Sequence, residues 1–248
     1  MHHGICHLSI VPVRLQAEDT EPMLTQLLYG DYFKIIEKRK FWSKIRDGYD
    51  KSEGWIRNDQ FTIISKESYN ELKNKGMYVS DLVSFVSKEK GELLPVVKGS
   101  YLASVAFFNH EFEGSFVNQK GPKSLFIETA LYYLNAPYLY GGKTPFGIDA
   151  AGLTQMVYKI HGHPLLRKAA EQATQGEALS FIEESMPGDL AFFDNKEGEI
   201  NHVGLIMQDN YIVHSYGCVR VDRLDQTGIF NMELGKYTHK LRVIKKII

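Results

Sequence analysis

The chain changes its pattern at Lys123, and that change divides what it can fold into. Before it, short alternating runs are separated by Gly and Asp. Beyond it, apolar residues first recur at helical spacing and then in strand-like runs. Near the start, Leu8-Ser9-Ile10-Val11-Pro12-Val13, Tyr32-Phe33-Lys34-Ile35-Ile36-Glu37, Phe41-Trp42-Ser43-Lys44-Ile45 and Gly54-Trp55-Ile56 read as strands, with Asp47-Gly48-Tyr49-Asp50 as a turn. Strands this short and this closely spaced predict a small β-barrel over residues 1–62. Residues 63–122 carry a strand, tight turn and strand at 94–102 and a further strand at 111–117, which predicts a second, less regular β domain.

From residue 123 onward, Ser124 reads as an N-cap, and Ile127, Ala130, Leu131 and Leu134 follow at helical spacing until Asn135 and Pro137 stop them. A second helix is predicted from about Ala150 to Ile160, with Leu153, Met156, Val157 and Ile160 as its apolar stripe. Strands are predicted at 188–193, 203–207, 211–214 and 241–244. Helices first and antiparallel strands after them make an α+β domain over residues 123–248.

Chemistry concentrates in that domain. Asp149-Ala150-Ala151-Gly152 stands at the start of the second helix, with Asp149 as N-cap and position 150 at the first helical turn. A reactive cysteine gains most there, because the helix dipole favours its thiolate. Gly152 would keep the surface around that position low. The preceding run, Tyr138-Leu139-Tyr140-Gly141-Gly142-Lys143-Thr144-Pro145-Phe146-Gly147, suits either a loop that borders a cleft or a turn-rich connection with packed aromatics, and composition alone favours the second. His202 is read as opening one strand and His214 as closing the next. If Gln208-Asp209-Asn210 forms the loop between them, Met207 pairs with Tyr211 and the two histidines are diagonal neighbours on one face, about 7–8 Å apart. A two-residue loop would put them on opposite faces. The pairing therefore requires an odd loop or a bulge, and Asn210 tolerates the left-handed backbone that such loops use.

Other function classes find little support. A net charge of -1 and the lack of a basic-aromatic stripe argue against nucleic acid and anionic membranes as partners. Two cysteines, Cys6 and Cys218, make neither a disulfide framework nor a zinc site. No run is apolar enough to span a bilayer, and the start has neither the basic nor the apolar part of a signal peptide. A cytoplasmic chain is expected, or a periplasmic one trimmed of its signal.

Five segments in order resemble the NlpC-type peptidoglycan endopeptidase family: Pro137-Tyr138-Leu139-Tyr140-Gly141-Gly142, Gly147-Ile148-Asp149-Ala150-Ala151-Gly152-Leu153, Pro187-Gly188-Asp189-Leu190-Ala191-Phe192-Phe193, Asn201-His202-Val203-Gly204 and Ile212-Val213-His214. The resemblance spans about residues 124–248. Leu27-Leu28-Tyr29-Gly30-Asp31, the Trp42 strand and Gly54-Trp55-Ile56 resemble a bacterial SH3-like domain over roughly 6–62. Together they resemble the γ-D-glutamyl-L-diamino acid endopeptidases, also called dipeptidyl-peptidase VI. The resemblance implies a papain-like catalytic domain preceded by one or two small SH3-like β-barrels, the second of them degenerate and occupying 63–122.

The resemblance also implies a cysteine peptidase that cuts the γ-D-glutamyl–L-diamino acid bond of murein peptides such as L-Ala-γ-D-Glu-diamino acid. Position 150 would be the nucleophile, His202 the general base and His214 the residue that orients it. Tyr138 would line the cleft, and Asp149 would help bind the free amino end. Ala151 stands where relatives often carry serine. Glu21 and Tyr49, on loops of the first SH3-like domain, would close one end of the groove. A monomer without metal or cofactor is expected. Ala150 departs from the family pattern, and without a thiol no amide hydrolysis by this route is expected. An engineered knock-out of the nucleophile, a natural pseudoenzyme that binds cell-wall peptides without cutting them, and a misplaced motif match each account for it. The joint retention of Asp149, Gly152, His202 and His214 favours the knock-out. Cys218, expected past the end of its strand and away from any helix start, is read as structural.

Overall fold

In a computed structural model the chain divides into two units, Met1–Lys120 and Gly121–Ile248. Residues 2–73 and 75–248 are described. The first unit begins with seven strands: β1 (His2–Cys6), β2 (Ile10–Arg14), β3 (Met23–Leu28), β4 (Tyr32–Lys38), β5 (Trp42–Asp47), β6 (Glu53–Arg57) and β7 (Phe61–Ile64). They form one antiparallel sheet in the order β3-β2-β6-β5-β4-β1-β7. Alternation drives it: Val11 and Val13 of β2, Phe33 and Ile35 of β4 and Ile45 of β5 point into one core with Leu27 and Ile56.

Between 63 and 120 the structure departs from the expected strands. Helix α1 (Lys66–Leu72) follows β7, capped by Ser65, which accepts a hydrogen bond from the Ser68 amide at 3.0 Å. Its buried face is only Tyr69 and Leu72, too short a run to show a helical period. Strands β8 (Tyr78–Val79), β9 (Val83–Ser87), β10 (Leu93–Val97), β11 (Glu111–Phe112) and β12 (Phe116–Val117) form two small sheets, β10-β9-β11 and β12-β8. The strand expected around 101–102 is a single bridge from Tyr101 to Tyr78, followed by a 3-10 turn at Leu102–Ser104. The Ser104 hydroxyl, bonded to the Tyr101 carbonyl at 2.8 Å, gives the backbone that alternative. One core cluster joins Ile5 and Ile64 to Tyr69, Leu72, Tyr78 and Tyr101, on both sides of residue 62.

The second unit is α+β. Ser124 lies within a 3-10 turn, Lys123–Leu125, and is not an N-cap; helix α2 (Phe126–Leu131) grows directly from that turn with no side-chain cap. A short hairpin, β13 (Lys143–Thr144) and β14 (Gly147–Ile148), interrupts the loop ahead of α3 (Ala150–Ile160). Helix α4 (Ala169–Gln172) precedes β15 (Glu177–Leu179), β16 (Leu190–Asp194), β17 (Ile200–Ile206), β18 (Tyr211–Tyr216), β19 (Cys218–Leu224), β20 (Gly228–Asn231) and β21 (Lys236–Lys246). The sheet order is β15-β21-β16-β17-β18-β19-β20, and β20 also pairs with β21. Helix α3 packs against β17 and β18 and is buried along its whole length. Leu153, Met156 and Val157 are fully buried, at about 1.5–3 kcal/mol each. Among the described residues no helix is long and apolar enough to cross a membrane.

The β17–β18 hairpin has the predicted register. Gly204 pairs with His214 and Ile206 with Ile212, and the Met207 amide donates to the Tyr211 carbonyl at 2.8 Å. Residues 208–210 therefore form the three-residue loop, with Asp209 and Asn210 both left-handed at φ 57° and 61°. Three strand limits differ from expectation. His202 lies inside β17, His214 lies inside β18, and Cys218 opens β19 after a turn at Gly217.

Candidate active site

Three local constructions make up the candidate site. The first is the helix start. Asp149 caps α3 through its Oδ1, which accepts from the Gly152 amide at 2.6 Å. Ala150 is the first residue of the helix and 5 % exposed. A Cβ added at Gly152 would lie 2.4 Å from the Gly142 carbonyl oxygen, so this glycine lets the loop pack onto the helix; it does not open a surface. The second is the loop before it. The Tyr138 amide donates to the Gly217 carbonyl at 2.9 Å and the Val219 amide to the Ala136 carbonyl at 2.8 Å. Ser215, next to His214, donates its hydroxyl to the Ile148 carbonyl at 2.8 Å. That bond ties the chain two residues ahead of Ala150 to the strand that carries His214.

The third is a relay of side chains on β17, β18 and β19. His202 Nε2 lies 2.9 Å from His214 Nδ1, and His214 Nε2 lies 3.2 Å from Asp222 Oδ2. Gly204, paired with His214, leaves room for it: a Cβ there would lie 3.0 Å from the His214 Cβ and 2.7 Å from Ile212. Asp222 also accepts from Arg220 Nε at 2.8 Å and Asn231 Nδ2 at 3.1 Å. Burial raises the Asp222 pKa, but the hydrogen bonds and charges of His214 and Arg220 outweigh it and hold the carboxyl below its usual range. An ionised carboxylate only accepts, so His214 donates from Nε2 and accepts at Nδ1. His202 must then donate from Nε2. Its Nδ1 carries the lone pair and is the ring nitrogen left to take a proton from a nucleophile.

Burial pushes the His202 pKa well down, and the neighbouring His239 and His214 push it further. His214 is lowered by burial against the opposing pull of Asp222, and His239 is lowered by burial to about 4. Each of these histidines is neutral in the fold and protonates more readily when unfolded. The unfolded chain therefore binds more protons below the ordinary value of 6.5, and stability present above that pH is lost as the pH falls toward and below about 4. Urea unfolding between pH 7 and pH 5 should show this loss, at up to about 1.4 kcal/mol per pH unit for each such histidine. A flat profile there would mean that the three rings are not buried neutral.

The other expected residues are placed as follows. Tyr138 is half-exposed, and burial, then the Asp149 charge, raises its pKa. Ala151 is buried, and its carbonyl accepts from Gln172 Nε2 at 2.9 Å. Asp149 is more occupied than an amine-binding acid would be. Its Oδ1 also accepts from Arg167 Nη1 at 2.9 Å, while Oδ2 accepts from the Gly141 amide and Arg167 Nη2, both at 2.7 Å. Two donors already fill each oxygen. Glu21 and Tyr49 belong to the other unit, on the loop between β2 and β3 and in the turn after β5.

Sequence reasoning missed Asp222, Arg167, Gln172 and His239. Asp222 had a signal: Val219-Arg220-Val221-Asp222-Arg223-Leu224 alternates after Gly217, and in the observed hairpin Arg220 faces His214, with Asp222 two residues on along the same face. Arg167 stands in an irregular stretch ahead of α4 and Gln172 at the end of that four-residue helix, and the bonds that tie them to Asp149 and Ala151 cross 18 and 21 residues. Among the described residues, His202, His214 and His239 form a group in which one ring nitrogen of each lies within 4.8 Å of the others.

The chain is similar to known proteins in both of its units. The sequence profile of the NlpC/P60 family matches residues 135–235, and that of the bacterial dipeptidyl-peptidase Sh3 domain matches residues 13–61. The gamma-D-glutamyl-L-lysine dipeptidyl-peptidase of Bacillus cereus (strain ATCC 10987 / NRS 248) is 35% identical over 243 residues, covering 82% of this chain and 70% of the relative. The protein of that name from Bacillus subtilis (strain 168) is 27% identical over 230 residues, covering 86% and 74%. Dipeptidyl-peptidase 6 of Lysinibacillus sphaericus is 25% identical, covering 78% and 80%. In fold, the chain matches the crystal structure of an NlpC/P60 family protein from Bacillus cereus ATCC 10987 with a TM-score of 0.80 at 17% identity over 99% of both chains.

Proposed function

The chain belongs to the NlpC/P60 family, and from that premise we propose that its second unit has the site of a cysteine peptidase for murein peptides, lacking its nucleophile. The bond it is laid out to cut is the γ-D-glutamyl–L-diamino acid amide of peptides with a free N-terminal L-Ala. The observation that carries this reading is the His202–His214–Asp222 relay, tied through Ser215 to the start of α3. With a thiol at position 150, His202 Nδ1 takes the proton as sulfur attacks the γ-D-glutamyl carbonyl carbon. The C–N bond breaks as that proton passes to the leaving amine, and water then hydrolyses the thioester and regenerates the thiol. His214, held by Asp222, fixes the tautomer that leaves Nδ1 free.

Ala150 stops this cycle at binding. An engineered loss of the cysteine and a natural peptide-binding pseudoenzyme share that consequence. The second has one observation of its own, because position 151 is alanine as well, where relatives often carry a serine. Asp149, already held by Arg167, would share its carboxylate with the peptide's ammonium, which weakens that contact. Glu21 and Tyr49 are proposed as residues of the amine-recognising end. Titration calorimetry with L-Ala-γ-D-Glu-L-Lys tests the reading directly. Binding is expected, at least about fivefold weaker for the N-acetylated peptide, because an unpaired polar partner costs roughly 1–3 kcal/mol. Equal affinity for both peptides, or none for either, would reject it.

A further inference from the structure

His239 is the one ring of the histidine group that the relay does not use. It reaches the site from the last strand, and the strand is irregular on both sides of it. Thr238 is an extra residue opposite β20, and Arg242 is an extra residue opposite β16. Bulges re-aim side chains, and these two bracket His239. Its ring lies on that of His202, with centroids 4.0 Å apart and planes 22° apart. It meets His214 edge-on at 84° and Tyr216 at 89°. Its Nδ1 is bonded to the Thr238 hydroxyl at 2.9 Å.

The close nitrogens invite a metal reading, but the rings argue against it. Ligand lone pairs lie in the imidazole plane, and two nearly parallel planes stacked at 4.0 Å cannot both aim at one ion. Stacking instead does two other things. It fixes the plane of the His202 ring edge-on to His214, whose interplanar angle with it is 88°. It also covers one face of His202 against water.

We propose that His239 is a positioning residue for the general base: its flat imidazole clamps the His202 ring in the plane from which Nε2 meets His214 and Nδ1 stays free. This rests on the peptidase layout proposed above. Groups facing His202 come from three elements: Phe193 on β16, His214 on β18 and His239 on β21. Asp222 and Arg220 on β19 act on it through His214. The burial that keeps His239 uncharged adds to the proposal, since a charged ring on that face would oppose an imidazolium forming on His202.

The test uses the chain as it stands, labelled with nitrogen-15 histidine. His202 is expected in a single neutral tautomer with Nδ1 unprotonated. In His239→Ala the exposed ring face should raise the His202 pKa by about one unit or more and mix the tautomers. His239→Phe, which keeps a flat apolar cover, should preserve the tautomer and the low pKa. Unchanged His202 titration in His239→Ala overturns the proposal. In an Ala150→Cys background, His239→Ala should lower kcat by about 10- to 100-fold with KM unaltered, as misplacement of a catalytic group does, and His239→Phe should restore most of it. Full kcat in His239→Ala also overturns the proposal. If Ala150→Cys cleaves nothing, the peptidase reading falls, while the nitrogen-15 measurement on the Ala150 chain still decides the role of His239.

Discussion

Ala150→Cys is expected to turn a chain without measurable amide hydrolysis into one that releases L-Lys from L-Ala-γ-D-Glu-L-Lys. The substitution adds one sulfur atom at the first residue of α3, a helix of 11 residues. Its N-terminal dipole favours a thiolate, and the His202 imidazolium formed by proton transfer favours it further. His202 needs no repair, because the Asp222–His214–His202 hydrogen bonds already leave Nδ1 as the base. Single removals from a nucleophile–base–acid triad cost on the order of 10^4 to 10^6 in kcat, the nucleophile at the upper end, so the gain on restoring it should approach that size. Release of L-Lys followed by chromatography gives the measurement. Release restored to a peptidase rate means that Ala150 alone silences the site and favours a recent or engineered loss. A chain that still binds the peptide but leaves it intact points to a pseudoenzyme, in which position 151 has drifted along with the nucleophile.

The same residues show why part of this site is legible in a sequence and part is not. The register of the β17–β18 hairpin follows from local chemistry. Two strand-like runs and a loop whose Asp209 and Asn210 accept left-handed backbone fix the face of His202 relative to His214. The α3 stripe is legible for the same reason, since Leu153, Met156, Val157 and Ile160 repeat within one helix. Arg167 carries no comparable period. It lies 18 residues from Asp149, in a segment without regular structure, and only the folded chain brings the two together. His239 is harder still, because its aim depends on bulges at Thr238 and Arg242, and a bulge inverts the face that alternation assigns. Residues 63–120 fail for a related cause. Helix α1 buries only Tyr69 and Leu72, and a strand of two residues is too short for its alternation to repeat.

Replacing Arg167 with methionine should destabilise the second unit more than any other single change considered. The Arg167 side chain is 4% exposed and that of its partner Asp149 12%. Removing it leaves Asp149 buried with a full charge and only two amide donors. Breaking a buried pair from one side costs about 3–5 kcal/mol. At about 2–4 °C per kcal/mol for a chain of this length, Tm should fall by roughly 10 °C. Asp149→Asn/Arg167→Met should recover most of that loss, because no charge is left unpaired and asparagine still caps a helix. A double variant as unstable as Arg167→Met would mean that Arg167 supports the fold through packing and not through the pair. The double variant also separates stability from function in an Ala150→Cys background. If it folds as well as its parent and hydrolyses the peptide as fast, the ion pair serves only the fold. If it folds equally well but is slow, the charged clamp on Gly141, Gly142 and Gly152 is what holds position 150 at the distance from His202 that the chemistry needs.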